Sequence, residues 1–411
     1  MTNNAIEANH ASSGSSGSAS KPPSKRRSFQ VAGATPTELI SLFGSPVLFL
    51  LIFVVFYLWL GESFYNPNQR MLEFSQAIPA TIITLGVVVI LAVGQFDLSV
   101  AYNASLSAYL VIGLNYRNDI PMWASILITL AFASFVGFSN GILVTKFRIN
   151  AFITTLGVGG VLLGLARVYS EGGQGLNPSP TDHPLPEWFH AFLGDFQNTA
   201  PTPVVIVVAV MLIAALLHTI NGRAIPSTVS KPIRAAILLV IAAIALLAVF
   251  GSGIVNFVSV NVVIFLVLAT LLWIVMTYTT FGRNLYAVGS NPRAAGYAGV
   301  NSSRYTLSAF TITGLLAGVA GIMLAATQQA AIQGAADGFL LPAYSAAFLS
   351  TVLISRGRFH IWGAVIGALC LTYVASGLVV GGVAYTWADV FNGGVLIAAV
   401  ALSSVVRRTA R

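Results

Sequence analysis

Apolar runs interrupted by short polar turns repeat along almost the whole chain. They fall at about 38–60, 71–93, 98–114, 122–144, 151–169, 203–219, 235–251, 260–280, 305–327, 339–354, 361–380 and 389–406. Runs of this length predict helices that cross a bilayer, since a perpendicular span needs ~20 apolar residues. The segments 98–114 and 339–354 are short for that purpose. The expected fold is therefore all-α, a polytopic membrane protein with about 10–12 transmembrane helices over 38–406. Two polar interruptions are longer than the rest, at 170–202 and 281–304, and residues 1–37 are polar and rich in Ser and Gly, the pattern of a disordered tail.

The charge pattern orients this map. Lys21, Lys25, Arg26 and Arg27 precede the first apolar run and place the N-terminus in the cytoplasm. With that start, 17 of the 20 Lys and Arg residues fall in inner segments, and only Arg70, Arg117 and Arg167 do not. The acids Glu62, Asp119, Glu171, Asp182, Glu187, Asp195 and Asp337 fall in outer ones. The same map puts 170–202 in the periplasm, 281–304 in the cytoplasm and the tail 407–411 inside, so both termini are cytoplasmic.

Composition agrees: 8% of residues are charged and 56% hydrophobic, and mean hydropathy is +0.84. A soluble domain carries about a quarter charged residues. The net charge of +8 is spread over many loops, so no nucleic-acid surface is expected. Cys370 is the single cysteine, and the five histidines show no ligand spacing on an apolar stretch, so no metal site and no cofactor are expected.

The inner loop carries sharp helix punctuation. Asn291 suits an N-cap, Pro292 suits the first helical position, and Gly299 suits the left-handed residue after the last turn. A short helix over 292–298 follows, bearing the small residues Ala294 and Ala295, which would let another protein approach closely. A plain solvated loop is the simpler alternative, but it gains nothing from such punctuation.

Four stretches together resemble the permease subunits of bacterial ABC importers for sugars, of the ribose, xylose and galactofuranose type. They are Asp97-Leu98-Ser99-Val100, Asn140-Gly141, Phe152 to Gly157, and Gly282-Arg283 through Gly289, Asn291, Ala294-Ala295 and Gly299. The similarity runs over about 45–406. Members often have glycine where Gln95 and Ala101 stand, and Arg and Ser where Gly296 and Ala298 stand. The segment 203–254 is similar to the extra helix pair of xylose-type permeases. The resemblance implies residence in the bacterial inner membrane, a cytoplasmic ATPase subunit, a periplasmic sugar-binding protein and a second permease, identical or homologous. It assigns Gly289, Asn291, Ala294, Ala295 and Gly299 to coupling with the ATPase.

Asp97 lies between two spans, and a carboxylate near the membrane is a functional candidate by default. An inner-surface turn, with Ser99 capping the next helix, is the simpler account and is preferred to direct sugar contact. Asn103, Asn140, Phe152, Thr155 and Gln328 complete the candidates for the translocation path. For any one polar residue among them, interhelical hydrogen bonding, worth ~0.6 kcal/mol, is sufficient reason to be there. As a set they suit an uncharged passage for sugar hydroxyls. None of the four lysines is followed by Ser or Thr, so the chain lacks the Gly-Lys-Ser/Thr of a Walker A loop, and ATP hydrolysis is expected on a partner. No cluster of catalytic residues appears, so the chain is not expected to be an enzyme. The alternative reading is an ion-coupled secondary transporter of a small neutral solute, which would call for ionisable groups at the midplane of the spans.

Overall fold

The computed structural model describes residues 51–409 except 65, 180, 182, 204, 207, 211–212, 214–257 and 354–357. The expected tail 1–37, the start of the first apolar run, most of the 203–251 helix pair and the end 410–411 lie outside the described residues. Within them the architecture is helical, with only two isolated β-bridges.

The helices in chain order are α1 (Leu51–Ser63, its last turn 3-10), α2 (Pro67–Ala92), α3 (Val100–Tyr116), α4 (Met122–Thr145) and α5 (Ala151–Tyr169). The short α6 (Glu187–Leu193) follows, then α7 (Val260–Tyr278), α8 (Thr280–Ser290), α9 (Pro292–Tyr297) and α10 (Ser302–Gln328). The chain ends with α11 (Leu340–Leu353), α12 (Ile361–Val380) and α13 (Trp387–Thr409). Six of them, α2, α4, α5, α7, α10 and α12, are long and apolar enough to cross a membrane.

Short polar side chains start several of the helices. Asn66 Oδ1 accepts from the amides of Asn68 and Gln69, Asn150 Oδ1 from Phe152, and Asn301 Oδ1 from Arg304. Each satisfies amides that the first turn leaves without partners. Thr279 breaks the continuous run read at 260–280: its backbone is extended and its hydroxyl accepts from Gly282 N, so α8 begins anew after α7.

Packing centres on α2 and α10. Lipid tails are as apolar as leucine, so helices in a bilayer associate through close van der Waals fit and small residues. The α4–α10 seam shows this directly. A Cβ on Gly314 would sit 2.5 Å from the Ala133 carbonyl oxygen, and one on Gly137 would overlap the Phe310 carbonyl. Gly321 meets the Ala104 carbonyl of α3 in the same way. Asn103 reaches into this seam, donating from Nδ2 to Ala133 O at 3.1 Å and to Gly314 O at 3.5 Å.

One end of the bundle is closed by the 170–202 segment. Leu176 bridges to Ala331, Thr199 to Ser259, and His190 Nδ1 of α6 lies 2.9 Å from the Ala326 carbonyl oxygen near the end of α10. At the opposite end lie α8 and α9. Asn284 Nδ2 of α8 donates to Tyr305 OH of α10 at 2.7 Å, and Ser302 Oγ donates to Pro292 O at 3.2 Å.

The charge pattern did not suggest the ion pair at the start of α2. Arg70, counted among the few outer cations, is buried and pairs with the partly buried Glu73, its Nη1 2.7 Å from Oε2. Arg70 Nη1 also meets Ser376 Oγ of α12 at 3.2 Å, and Ser376 Oγ donates to Glu73 Oε1 at 2.5 Å. The guanidinium lies 4.3 Å from the ring centre of Phe64 in the α1–α2 turn. One cluster thus joins the end of α1, the start of α2 and α12.

Candidate functional site

Two groups of the residues singled out by sequence come together, at adjoining places. The first is the α8–α9 corner. Asn291 Oδ1 accepts from Arg293 N at 3.1 Å and Ala294 N at 3.0 Å, and Pro292 takes the first helical position. Helix α9 spans Pro292–Tyr297, with Ala298 as its C-cap and Gly299 at φ +82° directly after it. The N-cap and the stop lie where the punctuation put them.

The facing of the two alanines differs from expectation. Ala294 is exposed, but Ala295 is 5% exposed and belongs to the main core, so it does not face outward with its neighbour. Adjacent residues on a helix point about 100° apart, and this helix rests on the bundle with one side. The outward side instead presents Arg293, Ala294 and Tyr297, the last 93% exposed. Tyr297 was not singled out, because an aromatic in a polar loop gives no signal of its facing. Gly289, at the end of α8, packs inward: a Cβ there would collide with the Ala92 carbonyl at the end of α2.

The second group is the turn 93–99 between α2 and α3. Gly94 turns the chain at φ +79°, a conformation that suits glycine. Asp97 follows, and it is 2% exposed, a buried turn rather than a surface one. Ser99 occupies the N-cap position of α3, yet its side chain caps nothing. The relation is reversed: Asp97 Oδ1 accepts from Ser99 N at 2.9 Å and from Ser99 Oγ at 2.6 Å. The cause is burial, since a carboxylate taken from water must find donors close by.

Three other helices hold this turn. Asn140 Nδ2 of α4 donates to Ser99 Oγ at 2.8 Å. Leu98 N donates to Thr155 Oγ1 of α5 at 3.1 Å. Tyr344 OH of α11 accepts from Asp97 N at 2.9 Å and donates to Asp97 O at 3.0 Å, and its ring stacks on Phe96 with centroids 6.0 Å apart. Tyr344 lies 247 residues from Asp97, and no pattern in the sequence pairs them.

The structure brings together Asp97, Asn140 and Thr155. Asn103 lies apart in the α3–α4–α10 seam, and all four are buried in hydrogen bonds within the bundle. Phe152 is exposed at the start of α5, and Gln328 is exposed at the far end of α10, beside α6. One face of α5 carries Phe152, Ile153, Leu156, Val161 and Leu165, all exposed, and among the described residues nothing lies within 4 Å of where a Cβ would stand on Gly157, Gly160 and Gly164.

The family described as branched-chain amino acid transport system / permease component matches residues 73–400. Among curated proteins, the chain is 26% identical over 361 residues to the autoinducer 2 import system permease protein of Photorhabdus luminescens, covering 88% of each. It is 26% identical over 361 residues to the ribose import permease protein of Bacillus subtilis, covering 87% of this chain and 91% of that one. The D-allose transport system permease protein of Escherichia coli is 24% identical over 366 residues, with 89% and 92% covered. No solved structure matches the chain.

Proposed function

The chain belongs to the family of permease components of the branched-chain amino acid transport system, and from that premise we propose that it carries a sugar or similar polyol through the inner membrane in an ATP-driven importer. As a permease component it is not an enzyme, and ATP hydrolysis belongs to a separate subunit. The observation that carries the choice of cargo is near full-length similarity to permeases for ribose, D-allose and autoinducer 2.

On this reading, the α8–α9 corner is cytoplasmic and receives the ATPase on the side formed by Arg293, Ala294 and Tyr297. The 170–202 segment faces the periplasm and meets a sugar-binding protein. A second permease, a copy of this chain, packs across the open face of α5, and the sugar passes between the two. Phe152 lies on that open face. Asp97, Asn140 and Thr155 act one layer behind it, by holding α5 in place.

The test is uptake of labelled ribose by proteoliposomes that hold the permease, its ATPase and, outside, the binding protein. Uptake should require ATP inside the vesicle and should cease when the ATPase lacks its Walker lysine. Uptake driven by a proton or sodium gradient without ATP would overturn the reading. Failure with ribose but ATP-dependent uptake of another small polyol would keep the importer and change only its cargo.

A further inference from the structure

The turn 93–99 touches the docking corner on one side and three helices of the bundle on the other. Helix α9 is joined to α8 at Asn291, whose amide donates to Ala287 O. The end of α8 meets the end of α2 at Gly289, where backbone lies against backbone. A Cβ on Gly289 would come within 3.0 Å of the Val93 carbonyl carbon and closer still to Ala92. The three atoms nearest to such a Cβ are all backbone, so at this point a displacement of α8 bears on the chain of α2 itself and not on a side chain that could turn aside. Four residues beyond Val93, at Asp97, the turn becomes tied to its neighbours by hydrogen bonds. Leu98 N is held by Thr155 of α5, Ser99 by Asn140 of α4, and both backbone polar groups of Asp97 by the single hydroxyl of Tyr344.

Resting on the reading of the chain as an ATP-driven permease, we propose that the turn 93–99 is the joint through which movement of the docking helix reaches α4 and α5, with Gly289 and Tyr344 as its positioning residues. Gly289 makes the contact tight enough to transmit a push. Tyr344 anchors the turn to α11, so that a push at Val93 pivots Leu98 and Ser99 instead of sliding the whole loop. Thr155 and Asn140 receive that pivot, and Thr155 lies on α5, the helix with the open face. Neither glycine nor tyrosine touches the sugar in this scheme.

The experiment uses the assembled complex in proteoliposomes, with ribose uptake and ATP hydrolysis measured on the same vesicles. Tyr344→Phe keeps the ring and its stacking on Phe96 and removes only the hydroxyl. Gly289→Ala adds one carbon at the contact. Each should lower the sugar carried per ATP hydrolysed by about five-fold or more, the scale of ordinary coupling between sites, while hydrolysis and co-purification of the ATPase stay near wild type. Because both act through one joint, the double variant should lose little beyond the worse single one. Parallel loss of uptake and hydrolysis, an unchanged ratio in Tyr344→Phe, or losses that multiply in the double variant would each overturn the proposal. Should Gly289→Ala fail to assemble, Tyr344→Phe alone decides by the same ratio. Wild-type vesicles without ATP-dependent uptake of ribose or of any other small polyol would instead sink the functional reading on which the joint depends.

Discussion

Among single residues, Asp97 has the most to lose. Its Oδ1 accepts two hydrogen bonds from Ser99, in a place that water does not reach. Asp97→Ala leaves the amide and hydroxyl of Ser99 short of an acceptor, at about 1–3 kcal/mol for each buried group left unpaired. Asp97→Asn keeps an acceptor at the same position and should melt within about 1 kcal/mol of wild type, since it exchanges charge-assisted hydrogen bonds for neutral ones. Thermal unfolding in detergent should rank the three as wild type, Asn, Ala. The Asn variant should nonetheless transport less, because the turn it loosens is the joint proposed above; normal uptake would show that the charge is dispensable. The sequence made Asp97 conspicuous because an acid between apolar runs is rare. It did not show the direction of the Asp97–Ser99 bond, because a Ser at the N-cap position reads as a cap whether or not its hydroxyl is already taken. Glu73 makes the complementary case. Glu73→Gln leaves the Arg70 cation without its counter-charge; breaking a fully buried pair costs about 3–5 kcal/mol, and this partly buried one should lose less than that. The yield of folded protein should fall sharply, and the paired change Arg70→Met with Glu73→Leu should recover most of it.

At the scale of the element, α9 separates two neighbouring alanines. Ala294 is exposed and Ala295 is part of the core, so the same substitution should fail in different ways. Ala295→Trp overpacks a filled site, which costs about 1–3 kcal/mol or more, and should lower the melting temperature of the isolated permease. Ala294→Trp should leave that temperature unchanged and weaken co-purification with the ATPase. If both variants melt normally and both retain the ATPase, α9 is not the docking element. This helix was readable because its two ends are written in residues whose roles are local: Asn and Pro at the start, Gly after the stop. The break that creates α8 was not, although Thr279 caps it, because a threonine at the end of an apolar run reads as part of that run and its capping bond to Gly282 N is a matter of geometry. The close α4–α10 seam was also hidden. Gly137 and Gly314 each look like one of 38 glycines, and only the meeting of two helices shows which of them must lack a side chain.

At the scale of the molecule, the helices differ in how much of themselves they hide. The apolar windows of α2 and α10 are each 78% buried within the chain, against 33% for α4 and for α5. The first two form a centre that sequence alone could not distinguish, because every span is apolar whether it meets lipid or protein. The difference leaves α4 and α5 to meet lipid or another protein, and their surfaces are unlike. α4 presents bulky Phe135, Leu127 and Ile128, which suit lipid tails. α5 also carries bulky exposed residues, but three glycines with open space before them among the described residues lie between these, and small residues are what let helices from separate chains come close. A cysteine at Gly160, with Cys370 replaced by Ser, should therefore be joined to its copy by a short thiol cross-linker in membranes. A cysteine at Phe135 should not. Cross-linking at 135 and not at 160 would move the interface to α4 and remove α5 from the pathway. The same cysteine-free background fixes orientation. Leu185→Cys should react with an impermeant thiol reagent added outside, and Arg293→Cys only after the membrane is opened. The reverse pattern would turn the molecule over, and with it the side from which the ATPase can reach α9.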